Sequence, residues 1–225
     1  MRAINTTIEN QGSHGSSSGR EFLTKPWVDR VLAVLACVPI VYPVIRYYHD
    51  LDFSISTVTW LLDVIVIVST MFFRRTAVRV TLNPWLWLLT CVATYWFTMI
   101  GFIEQTGQQL APLWITNLFA ILSTAVELWG RFSLGRNIGF VPAQREVVTR
   151  GAYRYMRHPI YTGLFLWIFG SAWLGNYSPR NTLLYALGIF WFVIKSFVEE
   201  GFLRKDPGYA AYMERVRWRW IPGIA

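Results

Sequence analysis

Arg157-His158-Pro159-Ile160-Tyr161-Thr162-Gly163 is the stretch from which the architecture can be read. It is a charged, turn-prone knot set directly before an apolar run that opens at Ile160. Pro159 has the place of a first-turn helix proline, where a fixed φ fits and a missing N–H is not needed. Arg157 and His158 stand just outside it, where long polar side chains snorkel to a bilayer edge. Long hydrophobic segments precede the knot. After it come two apolar runs and a charged tail that opens with Glu199-Glu200.

Composition agrees with a membrane setting. Of the 225 residues, 54% are hydrophobic and 15% are charged, against about a quarter charged in soluble domains. Twelve Trp and 15 Phe need an apolar place to sit. The formal net charge of +8 is spread between apolar runs rather than gathered on one module. That is the pattern of cytoplasmic loops beside anionic lipid, so membrane lipids are the expected partners and nucleic acid is not. Cys37 and Cys91 both fall inside apolar runs and read as small buried hydrophobes.

Residues 1–25 are polar and rich in Ser, Gly and Asn, without the basic-then-apolar layout of a signal peptide. They are expected to form a disordered cytoplasmic arm. The apolar runs are Val31–Ile45, Ile55–Phe73 with Asp63, Pro84–Ile103, Pro112–Trp129 with Glu127, Ile160–Leu174, and Thr182–Val198 with Lys195. A spanning helix needs about 20 mostly apolar residues. The pattern predicts an all-α, polytopic membrane bundle of about six transmembrane helices, or five if the short Ile160–Leu174 run does not cross. Pro39 and Pro43 predict a kink in the first helix. Residues 26–130 hold the N-terminal helices and residues 131–225 the chemistry.

Orientation follows from the basic residues of short loops. Arg74, Arg75 and Arg79 lie between the second and third runs. Arg131, Arg136, Arg145, Arg150, Arg154 and Arg157 lie between the fourth and fifth, and Arg204, Lys205, Arg215, Arg217 and Arg219 in the tail. The opposite loops carry Arg46 and Arg180, with nothing basic near Glu104. This bias places both termini and the Arg157–Gly163 knot on the cytoplasmic side of an integral, multi-pass membrane protein.

The second half carries the chemistry. Leu134-Gly135-Arg136-Asn137 leads through Arg145-Glu146-Val147-Val148 and Gly151-Ala152-Tyr153 to the knot, then to Lys195 and Glu199-Glu200. In that order and membrane setting, the pattern resembles the isoprenylcysteine carboxyl methyltransferase family, which belongs with the phospholipid N-methyltransferases. The resemblance covers about Leu134 to Pro222. It implies an S-adenosylmethionine-dependent membrane methyltransferase whose cofactor pocket faces the cytoplasm under the C-terminal segments. It also implies cofactor contacts at Arg145, Glu146, Val147, Val148, Tyr153, His158, Pro159, Ile160, Tyr161 and Glu199, and a cation for the acceptor carboxylate at Lys195. Arg157, Gly163 and Glu200 fall beside these as supports, and no metal site is implied. Three positions depart from the family pattern. Lys195 replaces Arg, which keeps the charge but loses the planar fork. Arg145-Glu146 replaces a His-Leu type pair. The tail reads Pro207-Gly208-Tyr209-Ala210-Ala211-Tyr212 instead of Phe-Gly-x-x-Tyr-x-x-Tyr.

Physical chemistry points the same way. Glu199 can accept from a cofactor ammonium in a charge-assisted bond. The first-turn N–H groups near Pro159 suit a carboxylate. Tyr153 and Tyr161 offer hydroxyls and an aromatic wall, and Val147-Val148 an extended edge for adenine. Lys195 and Glu199 are also spaced for an intrahelical i,i+4 pair, although Lys-before-Glu is the weaker order. Glu200, about 100° further round, is placed either to cap or to pair with a tail Arg. Asp63 and Glu127 are expected to pair with polar groups inside the bundle, and Gly163 and Gly170 to permit close helix packing.

A carboxylate acceptor is ionised at neutral pH and needs no general base, so His158 reads as a positioning residue. The acceptor is expected to be a lipophilic small molecule or a lipidated one. Phospholipid N-methylation stays open, though an amine gains nothing from a cation beside it. A sterol-reductase-like NADPH enzyme also stays open, though the Glu199-Glu200 pair after Arg-His-Pro speaks against it. A non-enzymatic scaffold or small transporter is the remaining class. Oligomeric state has no signature in the sequence.

Overall fold

A computed structural model describes residues 22–23, 25–47, 49, 51, 53–100 and 106–224. The arm expected over residues 1–25 lies outside the described residues except for Phe22, Leu23 and Lys25, as does the loop around Glu104.

Helices begin where the sequence supplies first-turn prolines and caps. Helix α1 (Pro26–Arg46) opens on a proline and continues through Pro39 and Pro43. Helix α2 (Ile55–Phe72) is capped by Ser54, whose hydroxyl accepts from Thr57 N at 3.3 Å. Helix α3 spans Pro84–Ile100 and α4 spans Leu113–Leu134, which ends at Gly135 with φ +56°. Only glycine takes that left-handed φ without strain. Helix α5 (Pro159–Leu166) opens on Pro159 and runs on as a wider π-helical segment, Trp167–Trp173. Helix α6 (Pro179–Leu203) is capped by Ser178 and α7 (Pro207–Arg215) by Asp206, which accepts from Tyr209 N at 3.0 Å.

Among the described residues, four helices are long and apolar enough to cross a membrane: Pro26–Arg46, Ile55–Phe72, Leu113–Asn137 and Pro179–Leu203. Two of the six apolar runs are shorter. Pro84–Ile100 has 17 residues, and the Ile160–Leu174 run is divided into an eight-residue α-helix and a seven-residue π segment. Together these pieces rise about 22 Å, less than the ~30 Å of a hydrocarbon core. Within the four long helices, only 11% to 33% of each apolar stretch is buried inside the protein. Leu35, Ile45, Ile65, Phe72, Leu113, Trp114, Phe132 and Leu183 all point outward. An outward apolar surface on helices whose backbone is satisfied internally is the solution that lipid requires.

Helix α4 is the spine of the bundle. It packs along α5 and the π segment, where glycines bring backbones together. A Cβ at Gly163 would lie 2.8 Å from Ser123 O, one at Gly130 would lie 2.9 Å from the Ile160 side chain, and one at Gly170 would strike the Phe119 ring. This is the close packing expected of Gly163 and Gly170. Helix α2 lies on another face of α4, and α3 lies against α6.

The loops are tied together at the two ends of the bundle. At one end, strand β1 (Arg79–Val80) pairs antiparallel with β2 (Ala143–Gln144), Arg79 opposite Gln144 and Val80 opposite Ala143. These two short strands add to the all-helical expectation. Arg75 N donates to Arg136 O at 2.7 Å, and Arg74 forks onto Asp29 at 2.8 and 3.0 Å. At the other end, Gln108 and Tyr177 form a β-bridge, and Leu110 N donates to Leu174 O at 2.8 Å.

Gly163→Val and Gly170→Val should each force α5 away from α4 and destabilise the fold by roughly 1–3 kcal/mol. Gly201 is the control, because a Cβ there would meet nothing within 4 Å, and Gly201→Ala should be neutral or stabilising. Thermal midpoints of the detergent-solubilised protein decide this: equal midpoints for all three variants would refute the packing account.

Candidate active site

The sequence places Glu199 and Glu200 side by side near the end of α6, and the helix sends them in different directions. Glu199 faces a cavity of about 620 Å³ lined by α1 to α7 and the 137–148 segment. Its Oε2 accepts from the Tyr161 hydroxyl at 2.7 Å, and its Oε1 lies 3.8 Å from Lys195 Nζ. Lys195 is 5% exposed and also lines the cavity. Its ammonium donates to Thr94 Oγ1 at 3.0 Å and sits 5.5 and 5.6 Å from the ring centres of Phe192 and Tyr161. Lys195 and Glu199 thus make the i,i+4 pair that their spacing allows, and they make it at the cavity wall.

Glu200 is 2% exposed and is the anchor of the C-terminal segment. It accepts from Arg157 Nε at 2.7 Å, from His158 Nε2 at 3.1 Å and from Arg219 Nη2 at 2.6 Å. Of the two roles open to it, pairing with a tail arginine is the one observed. Around this contact the backbone adds its own bonds. Arg157 N and His158 N donate to Trp218 O and Arg219 O at 3.0 and 2.8 Å. Arg157 Nη1 donates to Val216 O at 3.0 Å, and Thr162 Oγ1 to Trp220 O at 2.7 Å.

The other expected site residues divide by location. Tyr153, His158, Ile160, Tyr161, Val147 and Val148 line the cavity. The His158 ring stacks on Tyr161 with centres 5.1 Å apart, so the two rings form one wall. Burial, with Tyr212 and Glu199 nearby, holds the Tyr153 hydroxyl above its ordinary range, so it stays a neutral donor. Val147 also packs on the cluster formed by Tyr209, Tyr212 and Val216, and the Tyr212 hydroxyl donates to Tyr153 O at 2.8 Å. Pro159 is buried against Gly130 behind the wall. The His158 N–H is taken by Arg219 O and that of Thr162 by His158 O.

Arg145 and Glu146 also reach the cavity edge, but their charged ends are engaged in loop contacts. Arg145 Nε donates to Arg75 O at 2.9 Å, and Glu146 pairs with Arg75. Burial, then the nearby Arg74, lowers the Arg145 guanidinium to about 10, still cationic at neutral pH.

Sequence reasoning counted Arg131 only as a loop charge. It lies in α4, 8% exposed, on the cavity wall beside Glu127 and Asp63. These two acids do pair inside the bundle, with Arg131 as the partner. The i,i+4 spacing of Glu127 and Arg131 was the available signal. Tyr209 lay in the tail motif and Arg219 among the tail arginines, whereas Thr94 had no signal beyond its residue type.

Residues 111–209 match the model of the phospholipid methyltransferase family. Two curated relatives, described as probable protein-S-isoprenylcysteine O-methyltransferases of Oryza sativa subsp. indica and subsp. japonica, are 36% identical to this chain over 76 residues. That stretch is 32% of this chain and 39% of each relative's length.

Removing the Glu200 charge leaves the half-buried Arg157 and Arg219 without their anion. Glu200→Gln should therefore cost on the order of 3 kcal/mol and release the tail. Limited trypsinolysis is the measurement, with faster cleavage after Arg217 and Arg219 expected in the variant. Unchanged cleavage would mean that the backbone bonds alone hold the segment.

Proposed function

We propose, from the match of residues 111–209 to the phospholipid methyltransferase family model, that this chain is an integral membrane enzyme transferring a methyl group from S-adenosylmethionine to a carboxylate of a lipophilic acceptor. The observation that carries the reading is the buried Lys195–Glu199 pair, braced by Tyr161, on the wall of a large cavity. The two relatives are described as acting on isoprenylcysteine. That is consistent with a carboxyl acceptor bearing an apolar chain.

The residues present fit the cofactor. A cavity of about 620 Å³ admits a molecule of its size. Glu199 supplies an anion for the ammonium, Tyr153 a neutral hydroxyl, and Val147 and Val148 an apolar surface for adenine. When bound, the cofactor supplies an electrophilic methyl group on a sulfonium. The chain's own work is then positioning. Lys195 holds the acceptor carboxylate as the ligands replace its contact with Glu199. Tyr161 and His158 keep the wall rigid by stacking, with His158 fixed in turn by Glu200. No base is needed for an ionised carboxylate, so alignment and exclusion of water carry the rate.

Six crossings with the cavity mouth and both termini on the cytoplasmic side complete the proposal. In its support, the two Arg-rich loops are joined by β1 and β2 and by the Arg75–Arg136 bond, while the loops poor in basic residues meet at the opposite end.

Two variants separate acceptor from cofactor. Glu199→Gln should lower affinity for S-adenosylhomocysteine by roughly 1.5–3 kcal/mol, the range for hydrogen bonds to charged groups. Lys195→Met should lower methyl transfer to carboxylate lipids roughly a hundredfold, while S-adenosylhomocysteine affinity holds or rises because Glu199 loses a competing partner. Lys195→Arg should keep activity. A Lys195→Met enzyme that methylates carboxylates at the wild-type rate would remove the carboxyl reading.

Orientation is tested in a background with Cys37 and Cys91 replaced by alanine. A cysteine introduced by Arg150→Cys should react with an impermeant maleimide only from the cytoplasmic side, and one at Thr106→Cys only from the other. Labelling of both from the same side would break the arrangement.

A further inference from the structure

A second cavity, of about 230 Å³, lies between α1, α3 and the two short strands. Its walls run along α1 from Asp29 to Pro39 and along α3 from Trp87 to Tyr95. At 1.5 Å per residue these stretches are about 15 and 12 Å long. The slot is apolar along that length. The Tyr95 hydroxyl is turned to Ala36 O and the Trp87 indole N–H to Thr81 O, both at 2.8 Å, so neither offers its donor to an occupant. Leu35, on the wall of the slot, is 60% exposed and sets its opening on the outward apolar surface.

The charged residues that line the slot are Asp29, Arg74 and Arg145, gathered at one end. Arg74 and Asp29 satisfy each other. Arg74 Nε and Nη2 donate to the carboxylate at 3.0 and 2.8 Å, and Nη2 also to Asp29 O at 2.9 Å. Arg145 is the surplus. Its side chain is 6% exposed, and among the described residues its one hydrogen bond runs from Nε to Arg75 O at 2.9 Å. Its Nη2 stops 3.9 Å from Asp29 Oδ1, too far for a hydrogen bond. Asp29 lines the slot and not the larger cavity, so this nitrogen stands at the slot. Its Nη1 takes the space that a Cβ at Gly139 would fill. Glu146 does not serve, because it is turned to Arg75. A guanidinium does not shed its proton to escape burial. Two guanidiniums and one carboxylate therefore leave one positive charge, a fork of N–H donors without acceptors, over an apolar slot. A cation so placed calls for an anion.

We propose that this slot holds an acidic phospholipid from the leaflet beside the Arg-rich loops, its phosphate on the Arg145 fork and one acyl chain between α1 and α3. The parallel N–H groups of a guanidinium match two phosphate oxygens. The single surplus charge selects a head of net charge −1, because the ammonium of a zwitterionic head would be brought up to Arg74 and Arg145. A surrounding leaflet supplies such a lipid continuously, so the charge is not left bare. Neither Lys195 nor Glu199 lines the slot, and its occupant is independent of the acceptor they serve.

The full chain in dodecylmaltoside is titrated with dioleoylphosphatidylglycerol, dioleoylphosphatidylcholine and inorganic phosphate, with S-adenosylhomocysteine in a separate arm. The wild type should bind one phosphatidylglycerol at least roughly tenfold more tightly than phosphatidylcholine, as charge-assisted hydrogen bonds imply, and should not take up inorganic phosphate. Arg145→Gln should lose the preference, and Arg145→Lys, with the charge but no fork, should recover it only in part. Equal binding of the two lipids by the wild type would overturn the proposal. A preference that survives Arg145→Gln would assign the lipid to the exposed loop arginines and overturn it as well. Inorganic phosphate bound as tightly as the lipid would make the site one for a free anion and overturn the lipid. A fall in S-adenosylhomocysteine affinity in Arg145→Gln, with the lipid preference retained, would assign the fork to the larger cavity instead. Should Arg145→Gln fail to fold, Cys91 decides, because it lines the slot. In a Cys37→Ala background its reaction with N-ethylmaleimide should slow with phosphatidylglycerol and not with phosphatidylcholine, and equal rates would overturn the proposal.

Discussion

One carboxylate organises the C-terminal half. Glu200 is buried and receives Arg157, His158 and Arg219, which come from the approach to α5 and from the last segment of the chain. A charge in so apolar a place is stable only when paired and hydrogen-bonded. Each partner is therefore held as firmly as it holds. The backbone follows, with the 157–158 and 216–219 segments exchanging main-chain and side-chain bonds along their length. The Tyr209–Tyr212–Val216 cluster then has a fixed seat against Tyr153 and Val147, and the tail becomes a wall of the cavity instead of a free end.

Much of this was legible in the sequence, for reasons that differ from element to element. Helix starts were marked locally by Pro26, Pro84, Pro159, Pro179 and Pro207, and by the caps Ser54, Ser178 and Asp206. Run length and polarity picked out the four long apolar helices. The third and fifth runs were exceptions: the described helix of the third has 17 residues, and in the fifth a change from α to π winding at Trp167 leaves apolar composition unaltered. The strands β1 and β2 were unreadable, since two residues each are too few for a periodic pattern.

The site was legible in its members but not in its pairings. Lys195, Glu199, Tyr161, His158 and Tyr153 do meet at one cavity. That Glu200 would gather two arginines and a histidine, or that Arg131 would stand beside Asp63 and Glu127, depends on which helix faces lie together. Those contacts join residues 63 and 131, or 200 and 219, and no local rule fixes them. Arg145 shows the converse. It had a place in the resemblance, but a loop carbonyl and Asp29 engage its guanidinium.

The lysine and glutamate on α6 bring these themes together. Within an apolar bundle, a lone ammonium or a lone carboxylate prepared for a ligand would be destabilising whenever the ligand is away. Setting them one turn apart lets each neutralise the other across 3.8 Å, with Thr94 and Tyr161 as additional partners. That separation is longer than a good charged hydrogen bond, so the pair is satisfied without being tightly closed. A ligand set carrying both signs can enter by exchange, cation to Glu199 and anion to Lys195, with no charge left bare at any stage.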